Sequence, residues 1–144
     1  MKLDDIFSAW DEDSEIDRNH LDDESLKLSK LHKKYHEIFT NERLLLRKYE
    51  SDLKVLRLEK FEFYTQGPTQ ETQAKGWKLP PIGKIIRSDA NTYVDADKDV
   101  IDLSLRIGLQ HEKISLLDSI IKTIMGRSFN IKNALDFIKF TSGY

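Results

Sequence analysis

The sequence has no cysteine, only three prolines in 144 residues, and no long apolar run. Without cysteine there is no disulfide, no thiolate zinc site and no cysteine nucleophile. No stretch approaches the roughly 18 apolar residues that a membrane span requires. The opening, MKLDDIFSAWDEDSEID, is acidic and lacks the cationic-then-apolar order of a secretory signal. A soluble, non-secreted, cytosolic protein is therefore expected, and the length suggests one domain over 1–144. Phosphate-binding loops are missing too. Neither GxxxxGK followed by Ser or Thr nor GxGxxG occurs, which excludes the usual ATP-driven motors. No serine stands in a nucleophile elbow.

Metal chemistry is equally poorly supplied. His32 and His36 are spaced i,i+4, but Lys33, Lys34 and Tyr35 lie between them, where a metalloprotease motif needs a glutamate. Asp95-Ala96-Asp97-Lys98-Asp99 alternates like calcium ligands yet lacks the glycine turn and the distal glutamate. Its expected role is to cap a helix. No metal, no cofactor and no enzymatic activity is expected.

Charge is abundant and unevenly placed. The total is 23 Lys and Arg against 25 Asp and Glu, a net of −2. Residues 1–25 hold ten acids and two bases, whereas 26–60 hold five acids and ten bases. Residues 61–87 add four bases to two acids, 88–112 return to six acids and two bases, and 113–144 carry two acids and five bases. A polyanion responds to potential within a Debye length of roughly 8–10 Å, so the blocks matter more than the sum. The near-neutral total is compatible with a DNA-facing stripe if the acidic head and the 88–112 block lie away from it. The acidic head itself, 1–18, reads either as a disordered tail or as a segment that docks on basic surface.

No glycine or proline occurs before Gly67-Pro68. In that span Leu28, Leu31, Tyr35, Ile38, Leu45, Tyr49, Leu56 and Phe63 follow a seven-residue frame, interrupted at Glu42, Asp52 and Glu59. The spacing predicts one helix over 20–66, roughly 70 Å long, which needs an equally long partner. Residues 67–95 hold all three prolines and read as a connector with one short helix, capped at Ser88-Asp89. A cleaner heptad follows, with Val100, Ile107, Ile114 and Ile121 in one row and Leu103, Gln110, Leu117 and Ile124 in the other. It predicts a second long helix over 96–126, ended by Gly126. A third helix over 128–141 would carry Phe129, Ile131, Leu135, Phe137, Ile138 and Phe140. The fold class is therefore all-α: a long helical hairpin, a Pro/Gly-rich loop and a short C-terminal helix. The apolar C-terminal segment either folds over the hairpin or serves self-association. On the second reading Phe129, Ile131, Leu135, Ile138 and Phe140 form the oligomer interface.

Lys54, Arg57 and Lys60 recur every third residue, and Phe63 and Tyr64 follow beside the loop. Lys75, Lys78, Lys84 and Arg87 extend the positive charge. Cations for phosphates with aromatics for bases are the ingredients of a single-strand binder. The bland alternative makes the aromatics a plug for the hairpin end and the lysines a solvated face. No helix-turn-helix or zinc finger offers duplex readout. The candidate DNA-binding residues are Lys54, Arg57, Lys60, Phe63, Tyr64, Lys75, Lys84 and Arg87.

The opening MKLDD, the Ile16-Asp17 helix entry, LRLEKFEFYTQG at 56–67 and above all 85–143 resemble the UvsY family. These are recombination mediator proteins of T4-like bacteriophages. The match runs through the Ser88-Asp89 turn, Tyr93, the Asp-Ala-Asp run and Arg127-Ser128-Phe129-x-Ile131-Lys132-Asn133-Ala134. The resemblance implies a non-enzymatic protein that binds single-stranded DNA and helps load a RecA-like phage recombinase onto DNA covered by the phage single-strand-binding protein. It also implies a ring-like homo-oligomer of about six or seven subunits, at work in the cytoplasm of the infected bacterial host. The family's motif Leu-Lys-Ala-Arg-Leu-Asp-Tyr-Tyr-Ser-Gly places its arginine on Lys60, its acid on Glu62 and its aromatics on Phe63 and Tyr64. Its lysine falls on Leu58, with Arg57 next to it. The alternative is a helical-hairpin scaffold that ignores nucleic acid.

Overall fold

A computed structural model describes residues 1–143, whose regular structure is all helix with no strand. The helices are α1 (Leu3–Asp13), α2 (Leu21–Gln66), α3 (Gln70–Ala74), α4 (Arg87–Asp95) and α5 (Lys98–Thr141). The all-helical hairpin read from the heptads is present. Two compact units share α2 and α5: Met1–Leu44 with Gln110 onward, and Leu45–Leu109.

In the first unit Tyr35 of α2 packs with Leu117, Ile120, Ile121 and Ile124 of α5, and Ile6 of α1 completes the cluster. The acidic head is thus an ordered helix, docked through its apolar face. Asp13 receives the Tyr35 hydroxyl at 2.7 Å and the Lys34 ammonium at 2.5 Å. Arg127 lies over the Trp10 ring at 5.0 Å and donates to the Ser14 carbonyl oxygen. Glu42 and Gln110, both polar intrusions into heptad frames, meet one another. The Gln110 amide donates to the Glu42 backbone oxygen at 2.8 Å and to its carboxylate at 2.5 Å. Burial pushes the Glu42 carboxyl up, but the Gln110 bond and the Met1 ammonium hold it below its ordinary value.

In the second unit Phe63, Tyr64, Ile85, Ala90, Val94 and Val100 form the core, joined by Leu53, Leu56 and Trp77. Gly67, at φ +94°, ends α2 with a left-handed turn that favours glycine. The connector is more structured than its Pro/Gly content predicts. Thr69 and Thr72 form a capping box for α3, and the Ile85 N–H donates to the Tyr64 carbonyl oxygen at 2.8 Å. The short helix expected from Ser88-Asp89 begins at Arg87, with Ile86 at the N-cap and no side-chain cap. Asp97 caps α5: its carboxylate accepts the Asp99 N–H at 2.9 Å and the Val100 N–H at 3.4 Å.

Gly126 does not end the second helix. α5 continues to Thr141, so the separate helix at 128–141 is its last portion. Gly126 keeps helical φ and faces open space, and a glycine there costs only about 1 kcal/mol against alanine. Among the C-terminal residues, Ile131 is buried in its own unit, whereas Phe129, Leu135, Ile138 and Phe140 are exposed.

Candidate nucleic-acid interface

Three residues advance an α-helix by 300°, so residues spaced by three drift 60° per step around it. Lys54, Arg57 and Lys60 follow that drift from solvent into the core. Lys54 is exposed, Arg57 is half-buried and Lys60 is 3% exposed. The Lys60 ammonium donates to Asp99 at 2.8 Å, lies 3.2 Å from Asp97, and sits 3.7 Å from the centre of the Trp77 ring. Its positive charge is met on all these sides by the protein's own groups. Lys60 is therefore placed as a core ion pair, with no open side towards a phosphate, because its helical position turns it inward.

The two candidate aromatics are buried likewise, Phe63 at 3% and Tyr64 at 8%. Phe63 makes edge contacts with Tyr64 and Trp77 at centroid distances of 5.5 and 5.6 Å. The Tyr64 hydroxyl donates to Asp97 at 2.6 Å. Burial, then that hydrogen bond, pushes the Tyr64 hydroxyl pKa up. Burial also acts to raise Asp97, but the bonds from Tyr64 and Lys60 hold its carboxyl below the ordinary range. In this arrangement both rings serve as the plug of the hairpin end and present no face to a base.

The acidic 88–112 block does not lie away from the basic segment. Asp95 takes Arg57 at 2.7 Å, and Asp97 and Asp99 take Lys60. The sequence reading takes this Asp run only as a helix cap and misses that its three carboxylates pair with the candidate residues of α2. The signal was available as complementary counts, three acids in one block facing bases in another. Their pairing across 33 to 39 residues was not.

The remaining candidates are accessible. Lys75 lies between Glu59 at 3.6 Å and Glu71 at 3.5 Å. Lys84 is exposed and rests its aliphatic stem over Gly67, where an added Cβ would approach its Cε at 2.9 Å. Arg87 is exposed and holds its guanidinium 5.4 Å from the Phe61 ring centre. Among the described residues no cluster of three or more His, Asp or Glu is arranged to hold a metal, and no helix is long and apolar enough to cross a membrane.

The fold is similar to crystal structures of the bacteriophage T4 recombination mediator protein UvsY. One, in lattice type II, aligns with a TM-score of 0.81 at 20% identity over 99% of this chain and 98% of that one. Another, in lattice type IV, gives 0.80 at 19% identity over 98% and 99%. At that identity the likeness establishes the fold. Among curated proteins none matches significantly. Residues 9–144 match the family model described as recombination, repair and ssDNA binding protein UvsY, and the chain belongs to that family.

Proposed function

We propose that this chain is a non-enzymatic recombination mediator, which binds single-stranded DNA and promotes loading of a RecA-like recombinase onto DNA covered by a single-strand-binding protein. It would do so in the cytoplasm of a phage-infected bacterium. The family description supports the recombination and single-strand-binding part of this reading. The observation that carries the assignment to a surface is that three of the candidate cations of the second unit, Lys54, Lys84 and Arg87, are exposed. Lys60, Phe63 and Tyr64 hold the end of α2 in place beneath that surface. Mediation follows from differential binding: the strand conformation favoured by this surface suits the recombinase better than the covering protein.

The second requirement is assembly. Phe129, Leu135, Ile138 and Phe140 project from the end of α5, and a closed ring of identical subunits would bury them and repeat the cationic surface around its circumference. Fluorescence anisotropy with a labelled oligonucleotide over a salt series tests the reading. Three phosphate contacts per subunit give a log–log slope of about −2, and six about −4. Absence of binding at low salt would reject the function. The runner-up, a protein scaffold, is favoured by the capture of Arg57, Lys60 and Lys75 by the chain's own carboxylates. It requires assembly without any DNA binding.

A further inference from the structure

The carboxylates that meet the cations of α2 differ in how firmly they hold them. The side chains of Lys60 and Asp97 are 4% and 8% exposed, and a pair so enclosed separates only at a large cost. The side chains of Arg57 and Asp95 are 39% and 64% exposed. A pair open to solvent stabilises little, because water and salt compete for both partners. The Arg57 contact is also incomplete. Nη2 donates to Asp95 Oδ1 at 2.7 Å, one bond that leaves most of the guanidinium donors unused. The two-bond fork that makes arginine–carboxylate pairs strong is not formed.

Neither neighbouring helix needs the Asp95 carboxylate. Asp95 is the last residue of α4, at the negative end of the helix dipole, where a carboxylate is locally unfavourable. The end of α4 is closed by the Ala96 N–H, which donates to the Thr92 and Val94 carbonyl oxygens. The start of α5 is capped by Asp97. Among the described residues the one partner of the Asp95 carboxylate is Arg57. Lys54 stands three residues before Arg57, so the two are neighbours on the helix surface, and Lys54 is exposed. A strand with one phosphate on Lys54 brings the next to the unused donors of Arg57.

We propose that Asp95 is a built-in competitor of the strand: its carboxylate occupies the place of a phosphate on Arg57, and single-stranded DNA exchanges with it. The phosphate enters at the unused N–H donors, takes over the guanidinium and leaves Asp95 to water. A lone anion gains one contact and breaks one. A strand already held at Lys54 makes the exchange as an intramolecular step, at a high effective concentration. Asp95 thereby favours polyanions over small anions and keeps the bound strand releasable. The inference rests on the single-strand-binding reading above and adds the residue that regulates its affinity.

The test is fluorescence anisotropy of the full chain with a labelled oligonucleotide over a salt series, for the parent, Asp95→Asn, Arg57→Ala and the double variant. Asp95→Asn should tighten binding roughly two- to fivefold, the effect of one exposed ion pair. The log–log slope should steepen by about 0.7, one phosphate contact no longer offset by a carboxylate. In the Arg57→Ala background Asp95→Asn should lose most of that gain, because competition needs the arginine. Circular dichroism of each variant checks that the helices persist. Equal tightening in both backgrounds would overturn the inference, since removal of any negative charge would then account for it. Parent-like or weaker binding by Asp95→Asn would overturn it too, while leaving strand binding intact. A chain that binds no oligonucleotide at low salt, with or without Asp95→Asn, would instead overturn the functional reading beneath it.

Discussion

A lysine ammonium enclosed by two carboxylates and an indole does not exchange easily with a DNA phosphate. Removing the charge from Lys60 strands part of a buried network, and Lys60→Met is expected to destabilise the protein by about 3 kcal/mol. Urea unfolding reads this directly. A surface phosphate contact would instead lose affinity with stability unchanged. The carboxylates give a pH signature. Asp97 and Glu42 have lower pKa values in the folded chain than ordinary carboxyls. On acidification the unfolded state therefore binds protons first, and acid favours unfolding. The stability they contribute is complete above about pH 5 and falls as pH drops through about 4 and below. Asp97→Asn should accordingly lose stability relative to the parent at pH 7, with the gap narrowing by pH 3. An equal gap at both values would show that Asp97 does not titrate as the geometry implies.

At the scale of the element, two glycines illustrate how one residue type carries opposite messages. Gly67 has φ +94° and lies under Lys84, so Gly67→Ala meets both backbone strain and a side chain. It should cost about 1 kcal/mol or more. Gly126 has helical φ and open space around it, so Gly126→Ala should stabilise by about 1 kcal/mol. Thermal unfolding of the pair tests both signs. The first glycine was legible in the sequence because proline follows it. The second was misleading, since a glycine after a heptad run usually marks a helix end, yet Ile124, Ile131 and Ile138 keep the seven-residue row going through it. The start of α2 was read within one residue of Leu21 from its periodicity. Helix capping by Asp97 was likewise readable from spacing. That the same carboxylate receives Lys60 and Tyr64 was not, because helical drift and distant pairing act together there.

For the whole molecule, composition gave a near-neutral chain, and the structure shows where neutrality arises. The second unit holds eleven Lys and Arg against ten Asp and Glu. Several of those charges cancel within it, while Arg47, Lys48, Lys54, Lys78, Lys84, Arg87 and Lys98 are exposed. Assembly is expected to depend on the end of α5. Replacing Phe129 and Phe140 together by serine should shift sedimentation from oligomer to single subunit with helix content retained. An unchanged sedimentation coefficient would place the contact elsewhere.

The uninterrupted course of α5 has a geometric consequence. Along one heptad row Ile124 and Ile131 are buried and Ile138 is half-exposed, because α2 begins only at Leu21 and offers nothing opposite the last turns. Leu21, Leu26, Ile131 and Leu135 border an open groove at that point. The arm therefore resembles the overhang of a cut duplex, a stretch of pattern without its complement. A second copy that covered it would tie the melting temperature to protein concentration, as for any cohesive end.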